Sequence, residues 1–529
     1  MSFQPGKLLK SSFGTAAATF ASRLCGLFRV RLEAMVLGGG AWASAWGLAL
    51  MIPNLFRRLL GEGALGTALI PLVAEMEQND GIDTVRRKLA TVFAALGALL
   101  ALIVLIVSLA ALGSGKFIAL YGNEFWRSDR ITQMLRILPL LMPYAFFICL
   151  TGVIGAVLNY AKIFVRPALT ALLFNLFMLG GLATAWLTGA SPEKILPFLA
   201  VLTPVAGAVQ LGLMLWMLRQ CGRFPRFVSG WWRERDILRK LWHLALPGIL
   251  GYGALQISFL VDRSLAVALG DRAVPALNYV DRIIDLPVGI FAVSLGSVLM
   301  SAMSRAAAEG DRETMREQLE FSMRHVWFLC APLAAGVIFF HADVLRVLCL
   351  GGRYTLADLR AARMVAVFYG MGIPLFCTLK VILPAFYARK QMKTPFYVSL
   401  AAITVNITLN LILMWPLKQG GIALATVISS LVNNTVLMTI LHHQGLGVNW
   451  RTAISPIRSV LVSAVAGYAV WYGLRAAGIE LDGCGSLGLD IVLLAVIAVV
   501  FSGIYFVGSA LFRARELREL ASLLRRRRG

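Results

Sequence analysis

Long apolar stretches recur along the whole chain, each near the roughly 20 residues that a helix needs to cross the hydrocarbon core of a bilayer. Fourteen are found, at about 12–38, 43–73, 90–112, 137–158, 168–187, 196–218, 241–269, 276–303, 325–345, 364–387, 396–415, 419–441, 456–475 and 486–511. Only 15% of the residues are charged against 59% hydrophobic, whereas soluble domains carry about a quarter charged residues. In lipid a helix satisfies its own backbone groups, so the sequence predicts an all-α polytopic membrane protein of 14 transmembrane helices. Lys7 and Lys10 before the first run imitate a secretory signal, but Arg23 and Arg29 interrupt it and no small-residue cleavage site follows, so the run reads as the first span. Seven scattered cysteines without Cys-x-x-Cys spacing suggest neither a disulfide framework nor a zinc site.

The net charge of +23 would suit nucleic acid if it were gathered on a soluble domain. Here the basic residues alternate with apolar runs, so no nucleic-acid partner is expected. Thirty Lys and Arg fall on the side of the membrane shared by the two termini and twelve on the other, which places both termini in the cytoplasm. The remaining eight, Arg23, Arg29, Arg31, Arg57, Arg58, Arg263, Arg282 and Lys380, lie inside spans with only five acids, Glu33, Glu62, Asp262, Asp281 and Asp285. The membrane interior is therefore net positive.

The chain also repeats itself. Gly-Thr-Ala-Leu-Ile-Pro from Gly66 matches Gly-Ser-Val-Leu-Met-Ser from Gly296, and Ala161–Pro167 matches Arg389–Pro395, at offsets of 230 and 228 residues. Six spans separate the copies, so the expected plan is two parallel six-helix lobes around a central cavity, with two extra C-terminal helices. The boundaries read as an N-terminal lobe over 1–220, a basic amphipathic linker over 221–240, a C-terminal lobe over 241–445, helices 13 and 14 over 446–512, and a basic tail over 513–529. The linker, with Trp231 and Trp232, and the tail suit an anionic lipid surface.

Ionisable groups at bilayer depth cost ~2.5–3.5 kcal/mol on insertion scales and mark functional paths. Arg29 lies some seventeen residues into its span, about 25 Å at 1.5 Å per residue, too deep to snorkel back to the start of the helix. Arg23 lies six residues earlier, off the face of Arg29 in a straight helix, so a bend at Gly26 would help both reach one cavity. Arg58 with Glu62 (i, i+4) and Arg282 with Asp285 (i, i+3), the latter beside Asp281, have the spacing for local ion pairs; Arg57 is left over. Arginine suits phosphate, because its planar fork donates bidentate hydrogen bonds and stays charged. Asp262, Asn406, Asn410 and Thr426 form a second group with the oxygen ligands of a hard cation such as Na⁺, or with interhelical hydrogen bonding as the competing role.

Enzyme signatures are thin, and a non-enzyme is expected. Gly113-Ser114-Gly115-Lys116 lacks the rest of a phosphate loop, and the rival reading, a lipid-consuming polymerase, would have to use Glu124 or Asp129 in a loop. No cofactor is expected, and the membrane potential or a Na⁺ gradient is left as the energy source.

Four motifs in order carry a family resemblance: Ser22–Arg29, Pro53–Ala64, Tyr279–Gly289 and Leu379–Pro395. Together they resemble the MurJ (MviN) lipid II flippases of the multidrug/oligosaccharidyl-lipid/polysaccharide exporter superfamily. The resemblance implies a bacterial cytoplasmic (inner) membrane protein, a monomer, that carries undecaprenyl-pyrophosphate-linked disaccharide-pentapeptide outward by alternating access for peptidoglycan synthesis. It implies substrate contacts at Arg23, Arg29, Arg57, Arg58, Glu62, Asp281 and Arg282, and a groove for the polyprenyl tail between the last two spans. The alternative is an exporter of the same superfamily for another lipid-linked glycan or for drugs. Val30 and Ser44 stand where the family usually has acids, which leaves Glu33 to serve Arg29, and Asn410 stands where sodium-binding members have an acid.

Overall fold

A computed structural model describes residues 5–61, 64–161, 163, 165–226, 235–289, 293–478 and 487–519. The described residues are helical apart from short connections and one isolated bridge, Gly351 to Tyr354. The helices are α1 (Pro5–Leu37), α2 (Ala41–Phe56), α3 (Ala64–Tyr121), α4 (Asp129–Leu141), α5 (Pro143–Tyr160), α6 (Val165–Leu187), α7 (Pro192–Gln220), α8 (Arg235–Ala268), α9 (Ala273–Pro287), α10 (Val293–Ala308), α11 (Arg312–Phe339), α12 (His341–Cys349), α13 (Leu356–Tyr387), α14 (Lys393–Leu417), α15 (Gln419–Leu441), α16 (Trp450–Ala476) and α17 (Leu487–Leu511).

Among the described residues, every expected apolar run falls on helix. Among the described residues ten helical stretches are long and apolar enough to cross a membrane, against fourteen expected runs. The second run breaks at a π-helical turn, Arg57–Gly61, and the eighth at another over 288–289. The first and seventh carry the ionisable residues that lower their hydropathy. α1 passes through Gly26 without interruption, where a bend was expected.

The repeat is written into the backbone. Gly81 (φ +78°) breaks α3, and Gly310 (φ +73°), 229 residues on, precedes α11. Gly189 (φ +61°) and Lys418 (φ +51°) are separated by the same interval. Lys418, with ψ −135°, occupies a region that is costly for any residue with a Cβ, on the order of 1–3 kcal/mol. Lys418→Gly is therefore expected to raise the melting temperature in detergent, and an unchanged or lower value would show that the turn carries no such cost.

Two compact units emerge. The first comprises Met1–Ser264 with Gly351–Tyr354, and the second Leu265–Leu350 with Thr355–Gly529. The boundary differs from the expected one at 241 because α8 packs Ile237, Leu241 and Ala245 into the core that α3, α5 and α7 build around Leu72, Val153 and Leu218. In the same unit α1 lies on α6 and α2 on α4. A turn from beyond α12 completes it: the Arg353 N–H donates to the Met35 carbonyl at 2.9 Å, and Arg353 Nη2 to the Ala190 carbonyl at 3.1 Å.

The linker is not wholly a surface helix. Residues 221–226 are non-helical, and Arg223 grips Glu77 of α3 through two bonds from Nη2, 2.6 and 2.9 Å long, with its guanidinium over the Tyr160 ring. Trp231 and Trp232 lie outside the described residues, as does most of the basic tail. In the second unit α11 packs against α13 and α16, and α14 against α15. α13 starts with a capping box, Thr355 with Asp358, and Asp358 also accepts from Arg272 Nε at 2.8 Å.

Candidate functional site

In the first unit the basic residues singled out from the sequence lie on three elements: α1, the π-helical turn and α8. Arg29 of α1 is 7% exposed. Its guanidinium stands over the ring of Phe174 on α6, 5.6 Å from the centroid, and its Nε lies 4.0 Å from Glu33 one turn on. That separation is an electrostatic contact rather than a hydrogen bond, and it gives Glu33 the role left open by Val30. Midway along α1, Asn175 of α6 donates to the Ser22 carbonyl at 3.0 Å, which fixes the turn bearing the half-buried Arg23.

Arg57 and Arg58 sit where α2 gives way to the π-turn. Widening by one residue per turn changes which side chains share a face, and such bulges gather at functional sites. Arg57 Nε donates to Asn54 Oδ1 at 3.1 Å; Arg58 Nη1 donates to Gln256 Oε1 of α8 at 3.2 Å, and the Arg58 guanidinium carbon lies 5.3 Å from the Phe259 centroid. The Arg58–Glu62 pair expected from the spacing falls on Glu62, which is outside the described residues. The turn is held against α5 by two glycines: a Cβ on Gly152 would come within 2.5 Å of the Gly61 carbonyl carbon and oxygen.

Arg263, 1% exposed, lies 4.6 Å from the same Phe259 ring. Two guanidiniums thus share one aromatic platform, an arrangement that cation–π attraction favours most when water is excluded. Sequence reasoning counted Arg263 among the basic residues inside spans but gave it no role, and passed over Gln256 and Phe259. The available signal was their spacing, since 256, 259 and 263 line one face of a helix.

The second unit holds the rest. On α9, Asp281 is half-buried, whereas Arg282 and Asp285 are exposed. Lys380 of α13 is exposed as well. Asn410 Nδ2 donates to Asn406 Oδ1 at 3.2 Å, and Asn406 Nδ2 to Thr426 Oγ1 at 3.4 Å, joining α14 to α15. These three expected cation ligands come together, while Asp262 belongs to the first unit. Among the described residues no group of three or more His, Cys, Asp or Glu is placed to hold a metal ion.

α16 and α17 enclose a groove of about 430 Å³, walled by Ile457, the stem of Arg458, Leu461 and Val465 on one side and Ile504 and Phe512 on the other. Gly508 lets the two helices close, for a Cβ there would stand 2.9 Å from a Val462 methyl.

Comparison with known proteins places the chain as a whole. The family profile described as "Lipid II flippase MurJ" matches residues 33–478. A probable lipid II flippase MurJ of Rhizobium tropici is 30% identical over 514 residues, 95% of this chain and 94% of its own length. The protein of that name from Vibrio cholerae is 30% identical over 447 residues, covering 83% and 84%, and the lipid II flippase MurJ of Burkholderia cenocepacia is 25% identical over 514 residues, covering 94% and 96%. Among solved structures, a lipid II flippase MurJ in an inward closed conformation superposes with a TM-score of 0.77 at 22% identity, covering 96% of this chain and 99% of that one. An inward-facing multidrug transporter of the MATE family gives 0.62 at 14% identity, covering 82% and 98%. With its fourteen apolar runs, its repeat and a profile match over most of its length, the chain belongs to the MurJ lipid II flippase family.

Proposed function

We propose that this protein moves lipid II, the undecaprenyl-pyrophosphate-linked peptidoglycan precursor, from the inner to the outer leaflet of the bacterial cytoplasmic membrane. The observation that carries the reading is the surplus of arginine at bilayer depth: eight basic residues against five acids within the spans, with Arg29 and Arg263 buried and Arg57 and Arg58 half-buried on the elements described. Such a surplus disfavours a cationic drug as cargo and favours a pyrophosphate. Arg23, Arg29, Arg57, Arg58 and Arg282 serve as its contacts at successive stages of alternating access, and the tail stays in the groove between α16 and α17.

The protein works as a monomer without catalysis, and both termini face the cytoplasm. Its basic linker and tail meet anionic lipid. The driving force is the membrane potential or a Na⁺ gradient. Between these, the mutual hydrogen bonds of Asn406, Asn410 and Thr426 favour a packing role for that trio, and so favour the potential.

Native mass spectrometry of the purified protein tests the cargo. The expected result is a retained ligand with the mass of lipid II, together with outward exposure of lipid II when the protein is supplied to cells depleted of their own flippase. Retention of phospholipid alone, with no exposure in those cells, would overturn the proposal.

A further inference from the structure

Beyond the last span the chain turns back on itself. Arg513 adopts φ +51°, and residues 515–519 form a single helical turn. This turn carries a carboxylate, Glu516, that is only 1% exposed. Ser455 Oγ of α16 donates to Glu516 Oε1 at 2.6 Å, Arg458 Nη2 of α16 donates to Oε2, and Arg324 Nη1 of α11 lies 3.8 Å away. Arg324 also reaches Glu519, 3.4 Å off. Burial raises the pKa of Glu516, but the Ser455 hydrogen bond and the charges of Arg458 and Arg324 more than offset this, so the group titrates below its usual range and is ionised at neutral pH.

The position of this carboxylate matters because Arg458 is at once its partner and a wall of the apolar groove, while Phe512, four residues before Glu516, forms the facing wall. Ser455 and Arg458 are three apart, on one face of α16. A single buried anion therefore ties the end of one wall to the chain leaving the other, and draws the Arg458 guanidinium toward itself. Without it, Arg458 would be a long cationic side chain in the wall of an apolar groove, free to swing across it or toward headgroups.

We propose that Glu516 is a positioning residue for the lipid tail: by holding Arg458 and the chain leaving α17, it keeps the guanidinium out of the apolar groove and so leaves room for a long polyprenyl chain. The inference rests on the reading that the groove takes the tail, and its test separates the two. Binding of lipid II and of a farnesyl-tailed analogue is measured by native mass spectrometry for wild-type protein, Glu516→Gln and Glu516→Asp. Glu516→Gln is expected to weaken binding of the long-tailed lipid about tenfold, one 1.4 kcal/mol step, to leave the short-tailed analogue unaffected, and to be partly rescued by Glu516→Asp. Equal binding of the long lipid by Glu516→Gln and wild type, or equal losses for both lipids, overturns the role of Glu516. Wild-type protein that binds both lipids equally overturns the groove reading and this role with it, and wild-type protein that binds neither overturns the flippase reading. Should Glu516→Gln fail to fold, Ser455→Ala removes one hydrogen bond and keeps the charge pair, with an expected loss of about threefold confined to the long lipid.

Discussion

Arg29→Ala is expected to reduce lipid II translocation about 100-fold at normal expression, with Arg29→Lys intermediate at about tenfold. The estimate follows from charge-assisted hydrogen bonds worth ~1.5–3 kcal/mol each, of which a guanidinium offers a phosphate two in parallel and an ammonium no fork at all. Arg29 is held in place before any substrate arrives, by the ring of Phe174 and the carboxylate of Glu33. Part of any effect will therefore come from Glu33 losing a neighbour. The double variant Arg29→Ala with Glu33→Gln distinguishes the causes, because it removes the unbalanced acid as well as the base. If translocation recovers in the double variant, Arg29 is a structural partner of Glu33 and does not grip the cargo. Outward exposure of lipid II in depleted cells is the measurement, with melting temperature as the control for folding.

The second large effect is expected at a residue with no charge. Gly152→Val should cost more than ~3 kcal/mol, the upper end for overpacking a tight contact, and abolish transport in whatever protein survives. A Cβ at 152 would meet backbone atoms of Gly61, at 2.5 Å for C and O and 2.8 Å for Cα, and no side-chain rotation can clear these. Gly61 is confined too, though less severely, since its own Cβ would stand 3.1 Å from the Cys149 Cα. α5 and the π-helical turn can separate only by displacing Arg57 and Arg58, and misplacement by about 1 Å can cost 100-fold in a positioned site. Gly155, one turn along α5, is the matched control: a Cβ there meets only the Met214 methyl, at 4.0 Å, so Gly155→Ala should be nearly silent. Wild-type melting and transport by Gly152→Val would show that the two backbones are not in contact.

The features legible in the sequence were those with a local signature. Apolar run length placed the helices, the recurrence of short motifs placed the two copies, and charge inside an apolar run marked Arg29, Arg57 and Arg58. The less legible features depend on partners distant in the chain. Phe259 is an ordinary apolar residue until two arginines 201 and four positions from it, Arg58 and Arg263, converge on its ring. Glu516 sits in a basic tail whose arginines suggested lipid headgroups, and nothing nearby in sequence announces that Ser455 and Arg458 will bury it. The continuation of α3 through residues 74–89, read as a loop because of its charges, follows from helix propensity outside the membrane, with a glycine of positive φ at the bend.

The turn at Gly351–Tyr354 has a consequence for biosynthesis. It belongs to the first unit through the hydrogen bonds of Arg353 to Met35 and Ala190, yet the ribosome makes it only after α9 to α12. The amino-terminal half therefore cannot reach its finished form as it leaves the translocon; it waits, one latch short, until much of the carboxyl-terminal half has been inserted.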